Sequence, residues 1–351
     1  VARHLGAQVA SRLAADPRVE RVMGVDLAAP TGELARMLDG VDVRRVDLRS
    51  PEIARLLGDA GVEAVAHLAI TTAVDHQSGG RGATKELNVI GTMQLLAACQ
   101  QAPELRKLVI RSSTAAYGAS FRDPAVFTED TEPREAPRGG FGRDVLDIEG
   151  YVRGFRRRCP DVVATVLRFA PFIGERAGTR LNRYFALPVV PTVLGRDPRL
   201  QFIHVDDALE VLHRAIVERH PGTYNVAGAG VLTLSQAIRR AGRIAFPVIE
   251  PGLSAVAEFA KSSGALDFSL DQLDLFVHGR VVDTTRLIEE FDFEPRPSAA
   301  AFDDFIRGAG LGPLGPDRVR AAEHMILERI RRARAALDPA GGDRAAIEGK
   351  S

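Results

Sequence analysis

The sequence is short of several things, and each shortage excludes a class of protein. Two cysteines in 351 residues, Cys99 and Cys159, lie too far apart for a disulfide scaffold and point to a reducing compartment. There is no charge imbalance: 46 Lys and Arg face 46 Asp and Glu, so bulk attraction to nucleic acid or to a membrane is not expected. No apolar run reaches the roughly 18 residues that a membrane helix needs, and no secretory hydrophobic segment precedes the first helical pattern. Neither an internal repeat nor a metal-ligand spacing is read. With 45% hydrophobic and 26% charged residues, a cytoplasmic globular protein with a sizeable core is the expectation.

What is present is a rhythm. Strand-like runs at 21–27, 41–48, 62–70, 107–113 and 162–170 alternate with amphipathic helical patterns at 4–15, 51–59, 82–102 and 144–158. That alternation predicts an α/β fold, a doubly wound parallel sheet with right-handed crossovers of the Rossmann kind. A helix beginning at residue 4 calls for a strand and a turn before it, so the sheet's first strand is expected to be missing from this chain. After residue 170 the rhythm loosens into Pro- and Gly-punctuated short elements.

The predicted strand ends carry an ordered set of residues. Gly6 suits the last position of a strand-to-helix turn, where a missing Cβ lets helix and strand pack closely and the helix N-terminus faces phosphate. Asp26 closes the second strand about 20 residues on, where a carboxylate accepts hydrogen bonds from ribose hydroxyls and repels a 2'-phosphate. Asp47 and Leu48 follow the third strand, Leu68 and Ala69 the fourth, and Asn88 lies inside the next helix. Each of these is ordinary alone; an Asn in an apolar helix more often ties down a loop than a ligand.

Taken in order, "VDL" at Asp26, "VDLRS", "HLA", "LNVIGTMQLLAA", "SSTAAYG", "VLRFAPFIG", "QFIHVDDA", "GTYNVAG" and "VVDTTRLIEEFDFEP" resemble the extended short-chain dehydrogenase/reductases, the NAD-dependent epimerase/dehydratase family. The fuller phrases look most like an actinobacterial branch labelled UDP-glucose 4-epimerase-like. The resemblance implies NAD as cofactor, held by Arg3, Gly6, Asp26, Asp47, Leu48, Leu68, Ala69 and Asn88, and a nucleotide-sugar ligand met by Thr114, Tyr117 and Arg199. It also implies a homodimer, an NAD-binding Rossmann domain at 1–170 and a mainly substrate-binding lobe at 171–308. Residues 309–351 form a C-terminal helix and polar tail, whose arginines and apolar stripe are expected to pack on the body or a second subunit; contact with a membrane surface is the weaker alternative.

Two departures stand out. The family's TGxxGxxG turn, aligned on Gly6, has Arg3 at its middle glycine. The family's working set is a Ser or Thr, a Tyr, and a Lys four residues after it: the ammonium lowers the Tyr pKa so that a phenolate takes a proton as hydride leaves to the nicotinamide. Ser113 fills the Ser position, but Phe141 stands for the Tyr and Val145 for the Lys. Neither side chain can trade a proton. Tyr117, His76, Asp75, Arg143 and Asp144 are the substitutes that the sequence offers. The readings left open are a family member without standard catalysis, an active nucleotide-sugar epimerase or dehydratase using a substitute donor, and a non-catalytic NAD(H) or nucleotide-sugar sensor or scaffold.

Overall fold

The computed structural model describes residues 1–71, 80–137, 140–248 and 270–312. Short strands and covering helices alternate through the first half, as the sequence rhythm predicts. The order is α1 (His4–Ala14), β1 (Met23–Asp26), α2 (Glu33–Met37), β2 (Asp42–Arg45), α3 (Glu52–Asp59) and β3 (Ala64–His67). A long helix follows, in which α4 (Gly80–Lys85) passes through a π-helical turn (Glu86–Ile90) into α5 (Gly91–Gln101). Next come β4 (Lys107–Ser113), a 3-10 turn (Thr114–Tyr117), α6 (Gly140–Arg158) and β5 (Val163–Phe169).

The second half has smaller pieces: β6 (Phe172–Ile173), α7 (Arg180–Ala186), β7 (Val189–Val193), β8 (Arg199–Leu200), β9 (Ile203–His204), α8 (Val205–Val217) and β10 (Gly222–Val226). It ends with β11 (Leu232–Thr233), α9 (Leu234–Arg240), β12 (Ile244–Val248), α10 (Leu270–His278), α11 (Thr285–Phe291) and α12 (Ser298–Gly308).

The main sheet is parallel throughout, in the order β10-β5-β4-β3, and β1 and β2 form a separate parallel pair. Both faces of β4 are covered, which is why Leu108, Val109 and Ile110 are all without exposed surface. One face meets Val9 and Leu13 of α1 and Leu212 of α8. The other meets Leu95 and Leu96 of α5 and Ile148, Val152 and Phe155 of α6, spaced to line one side of that helix.

A third core, with Phe185, Phe202, Phe302 and Phe305 at its centre, holds the smaller lobe together. The chain does not divide cleanly at residue 170, because α8 returns to the first core and β10 joins the main sheet beside β5. All strand C-termini of a parallel sheet open on one edge, and Asp26, Leu68 and Ser113 stand at or just past such ends.

Candidate functional site

The strand-to-helix turn is tight, and its helix end is electrostatically open. Arg3 precedes α1 in extended conformation (φ −120°, ψ 153°), with no side-chain cap and no acid in the first helical turn. The leading N–H groups therefore face outward without a protein anion. Gly6 lies against Val1: a Cβ there would sit 3.1 Å from Val1 Cα, closer than side chains ordinarily approach. Asp26 ends β1, and its Oδ2 accepts from the Ala2 N–H at 2.8 Å, while its Oδ1 is met by a long 3.4 Å bond from the Ala28 N–H.

The next strand ends are less open. Arg49 occupies Asp47, through Nε at 3.0 Å, Nη2 at 2.7 Å and its own N–H at 2.9 Å, and this ion pair lowers the Asp47 carboxyl. Leu48 is half-buried and packs against Gly91, whose missing Cβ would lie 3.5 Å from Leu48 Cβ. Leu68 is half-buried and Ala69 exposed just past β3.

Asn88 requires a correction. It is 1% exposed, its Oδ1 accepts from the Thr71 N–H at 3.0 Å, and its Nδ2 donates to Thr71 O at 2.9 Å and to Asp144 Oδ2 at 3.0 Å. Both amide protons are spent, so Asn88 ties the loop after β3 to α6 and is not open to a cofactor. Its place in the π-helical turn aims it there.

At the end of β4, Ser113 caps the 3-10 turn: its Oγ accepts from the Ala115 N–H at 3.2 Å and keeps its own proton to donate. Thr114 is 2% exposed, which leaves it little surface for a ligand. Tyr117 is also displaced from the role read for it. Its hydroxyl, with one proton to give, lies 2.7 Å from Asn225 Oδ1 and 3.0 Å from Thr128 O and accepts from Arg168 Nη1 (2.8 Å), while its ring stacks on Phe127. Burial pushes its pKa up despite Arg168, so Tyr117 is neither a ligand contact nor a base.

α6 packs its first turns onto the turn that Ser113 caps. Val145 has no exposed surface and belongs to the core that contains Ile70, Ala116 and Ile148; Phe141 is half-buried against the same cluster. Asp144, beside Val145, is 1% exposed and is held by Arg81 Nη2 at 2.5 Å as well as by Asn88. Arg143 donates from Nε to Pro137 O at 2.8 Å. Of the other substitutes, Asp75 and His76 lie outside the described residues, as does the helix of the 309–351 tail beyond residue 312.

Arg111, on β4, is not among the residues that the sequence singles out, although a charge directly after the apolar run "LVI" is its signal. Its Nη1 donates to Leu68 O at 3.3 Å and to Ile70 O at 2.8 Å, and its guanidinium lies 5.4 Å from the Phe172 ring centroid. Burial, then the charge of Arg3, brings its pKa down to about 10.

A cleft of about 500 Å³ is lined by Arg196, Arg199, Arg280 and His278 from the second half and Phe121 from the first, with Asp123 and Asp197 as its acids. Those acids are engaged: Asp123 accepts from the Ser120 N–H, and Asp197 accepts from the N–H and hydroxyl of Ser235. Arg196 lies 4.2 Å from the Phe121 ring centroid, Arg199 donates to Ala125 O at 2.8 Å, and buried Arg280 donates to Gly118 O at 2.7 Å. Arg199 thus stands at a wall of this cleft.

The model of the NAD dependent epimerase/dehydratase family matches residues 1–227, well over half of the chain. The chain belongs to that family. An uncharacterized protein of Mycobacterium tuberculosis is 44% identical over 323 residues, 92% of this chain and 86% of the relative. Among solved structures, a UDP-glucose 4-epimerase from Thermotoga maritima, determined with UDP-glucose, superposes with a TM-score of 0.66 at 18% identity, covering 88% of this chain and 96% of its own. A dTDP-glucose 4,6-dehydratase from Bacillus anthracis, determined in complex with NAD, has a TM-score of 0.65 at 14% identity, covering 88% and 94%. The family's Rossmann-like fold is therefore the fold of this chain, and no helix among its described residues is long and apolar enough to cross a membrane.

Proposed function

We propose that this protein binds NAD(H) and a nucleotide sugar but performs the family's standard redox catalysis weakly or not at all. The observation that carries this reading is Val145, fully buried at the position read for the family's Lys, next to Phe141 at the position read for the Tyr. Without an ammonium, no neighbouring phenol is drawn toward neutral pKa, and without a phenol no proton acceptor faces a sugar hydroxyl.

The residues present fit a dinucleotide. The Gly6 contact keeps the turn narrow, the unfilled N-terminus of α1 suits a diphosphate, and the Asp26 carboxylate suits ribose hydroxyls and opposes a 2'-phosphate. Nicotinamide, when bound, supplies a reversible hydride acceptor. Ser113, holding the Ala115 N–H and still able to donate, would orient a substrate oxygen. The arginines of the cleft complement a nucleoside diphosphate, and Phe121 offers a ring face. A homodimer fits the face where Ile90 and Met93 beside α5 and Tyr151 on α6 are each nearly 40% exposed.

Calorimetric titration with NADH and NADPH tests the cofactor half, with NADH expected to bind at least about tenfold tighter. Equal affinity for the two removes Asp26 from cofactor selection. Assays on UDP-glucose test the catalytic half, and robust turnover by the unaltered protein would sink it.

A further inference from the structure

Arg111 is a half-buried cation with no counter-ion among the described residues. On the adjacent strand β5, Arg168, paired in register with Ser112, shows the usual arrangement: the guanidinium meets Glu149 through Nη2 at 2.7 Å and Nε at 3.0 Å. Arg111 instead meets only two carbonyls, both through Nη1, and its Nε is buried with no hydrogen-bond partner among the described residues. Carbonyl dipoles satisfy N–H groups but leave the full charge in place, and buried charges are otherwise paired.

The surroundings compound the excess. Arg3 directly precedes α1, whose Leu5 and Val9 pack in the same cluster as Val109 of β4, Leu68 and Phe172, and the N-terminus of α1 has no side-chain cap and no acid in its first turn. His67, one strand away, is kept neutral by burial and then by Arg111. No carboxylate pairs with Arg3 or Arg111 among the described residues. The carbonyls that Arg111 holds, of Leu68 and Ile70, belong to the segment after β3 that the sequence assigns to the cofactor.

We infer that Arg111 and Arg3 form a two-arginine phosphate anchor between the end of β3 and the start of α1, which takes the diphosphate of a dinucleotide. This rests on the dinucleotide-binding reading above and deepens it. The anchor makes up for a turn in which Arg3 replaces a glycine: donors lost from a glycine-rich backbone are supplied by guanidinium groups, one fixed on the sheet floor and one at the helix entry. Arg111, bound to carbonyls and flanked by Phe172, is already oriented before the ligand arrives.

The test is calorimetric titration of the full chain with ADP-ribose, which carries the diphosphate without nicotinamide, and with adenosine, which carries no phosphate. Arg111→Met should weaken ADP-ribose binding about 10- to 100-fold and Arg3→Gln about 3- to 10-fold, with Arg111→Lys in between. Adenosine affinity should not change, and inorganic pyrophosphate should compete with ADP-ribose on the unaltered protein but poorly on Arg111→Met. If ADP-ribose binds all variants like the unaltered protein, the anchor falls while the dinucleotide reading stands. Equal losses for adenosine and ADP-ribose would make Arg111 a structural residue and overturn the anchor. If the unaltered protein binds neither ADP-ribose nor NADH, both readings fall. Should Arg111→Met fail to fold, Arg111→Lys and Arg3→Gln decide by the same comparison.

Discussion

Val145 and Phe141 differ in how much they would resist reversion. Val145 has no exposed surface, so Val145→Lys forces an ammonium into a core with Ile70 and Ile148 and should cost at least about 3 kcal/mol in urea denaturation. Phe141 is half-buried, and Phe141→Tyr should change stability by less than about 1 kcal/mol. The pair should raise UDP-sugar turnover about a hundredfold or more over either single change, because Tyr alone keeps a pKa near 10 and Lys alone has no phenol to tune. Pair activity no better than the singles would show that loss of those two groups is not what limits the chemistry. His67 gives a separate test at the same scale. Its Nε2 lies 2.8 Å from Thr92 Oγ1 in the core, and burial brings its pKa from 6.5 to about 4. A histidine depressed in the folded state binds its proton more readily when unfolded. Its contribution is therefore complete above pH 6.5 and is lost as the pH falls toward 4, on the order of 3 kcal/mol in all. His67→Gln should flatten that limb of stability against pH; an unchanged limb would assign it to carboxylates instead.

At the scale of elements, the alternation of strands and helices was legible because each pattern answers one local demand. β4 and β5 are covered on both faces and read as apolar runs, and α6 shows its buried side every three to four residues. α2 was missed because five residues following Gly32, a glycine with φ of +58°, carry too little periodicity to register. The placement of candidate residues was legible where it depends on the local element, as with Asp26 at the end of β1 and Gly6 in the first turn of α1, and illegible where a polar side chain reaches across elements. Asn88 and Tyr117 look like site residues in the linear phrase, yet their partners, Thr71, Asp144, Arg168 and Asn225, come from elsewhere in the fold. The same limit hid Glu149, which binds Ser112 Oγ of β4 at 2.5 Å and Arg168 of β5, and so fastens α6 to both strands. Glu149→Gln should cost about 3–5 kcal/mol, since it leaves the Arg168 charge buried and uncompensated. Tyr117→Phe should cost about 1–3 kcal/mol, and the double variant should depart from the sum, because both act on Arg168. Strict additivity in that cycle would mean that Tyr117 and Glu149 do not share a network.

Over the whole molecule, the features read as binding two ligands are divided between regions that share some framework but not a core. Asp26, the start of α1 and Arg111 belong to the sheet end of the first half, whereas Arg196 and Arg199 rise from the smaller lobe around its own aromatic core. Besides α8 and β10, which join the first half's core and sheet, the halves are tied near the cleft by Arg280, whose guanidinium holds Gly118 O just past the turn capped by Ser113. Two distinct sites have a thermodynamic signature that does not depend on catalysis. A ligand that binds only the folded state at a hundredfold excess over its Kd stabilises by about 2.7 kcal/mol. NADH and UDP, each at that excess, should therefore raise the free energy of unfolding by about that amount singly and by roughly 5 kcal/mol together. Arg199→Ala should diminish the UDP part and leave the NADH part, because Arg199 lies at the cleft wall and donates there only to Ala125 O. A combined shift no larger than the bigger single one would mean that both ligands compete for one site, and the arginine-lined cleft would lose its assignment. A combined shift well above the sum would place coupling between the lobes, with the Arg280 bond to Gly118 as the first link to cut by Arg280→Met.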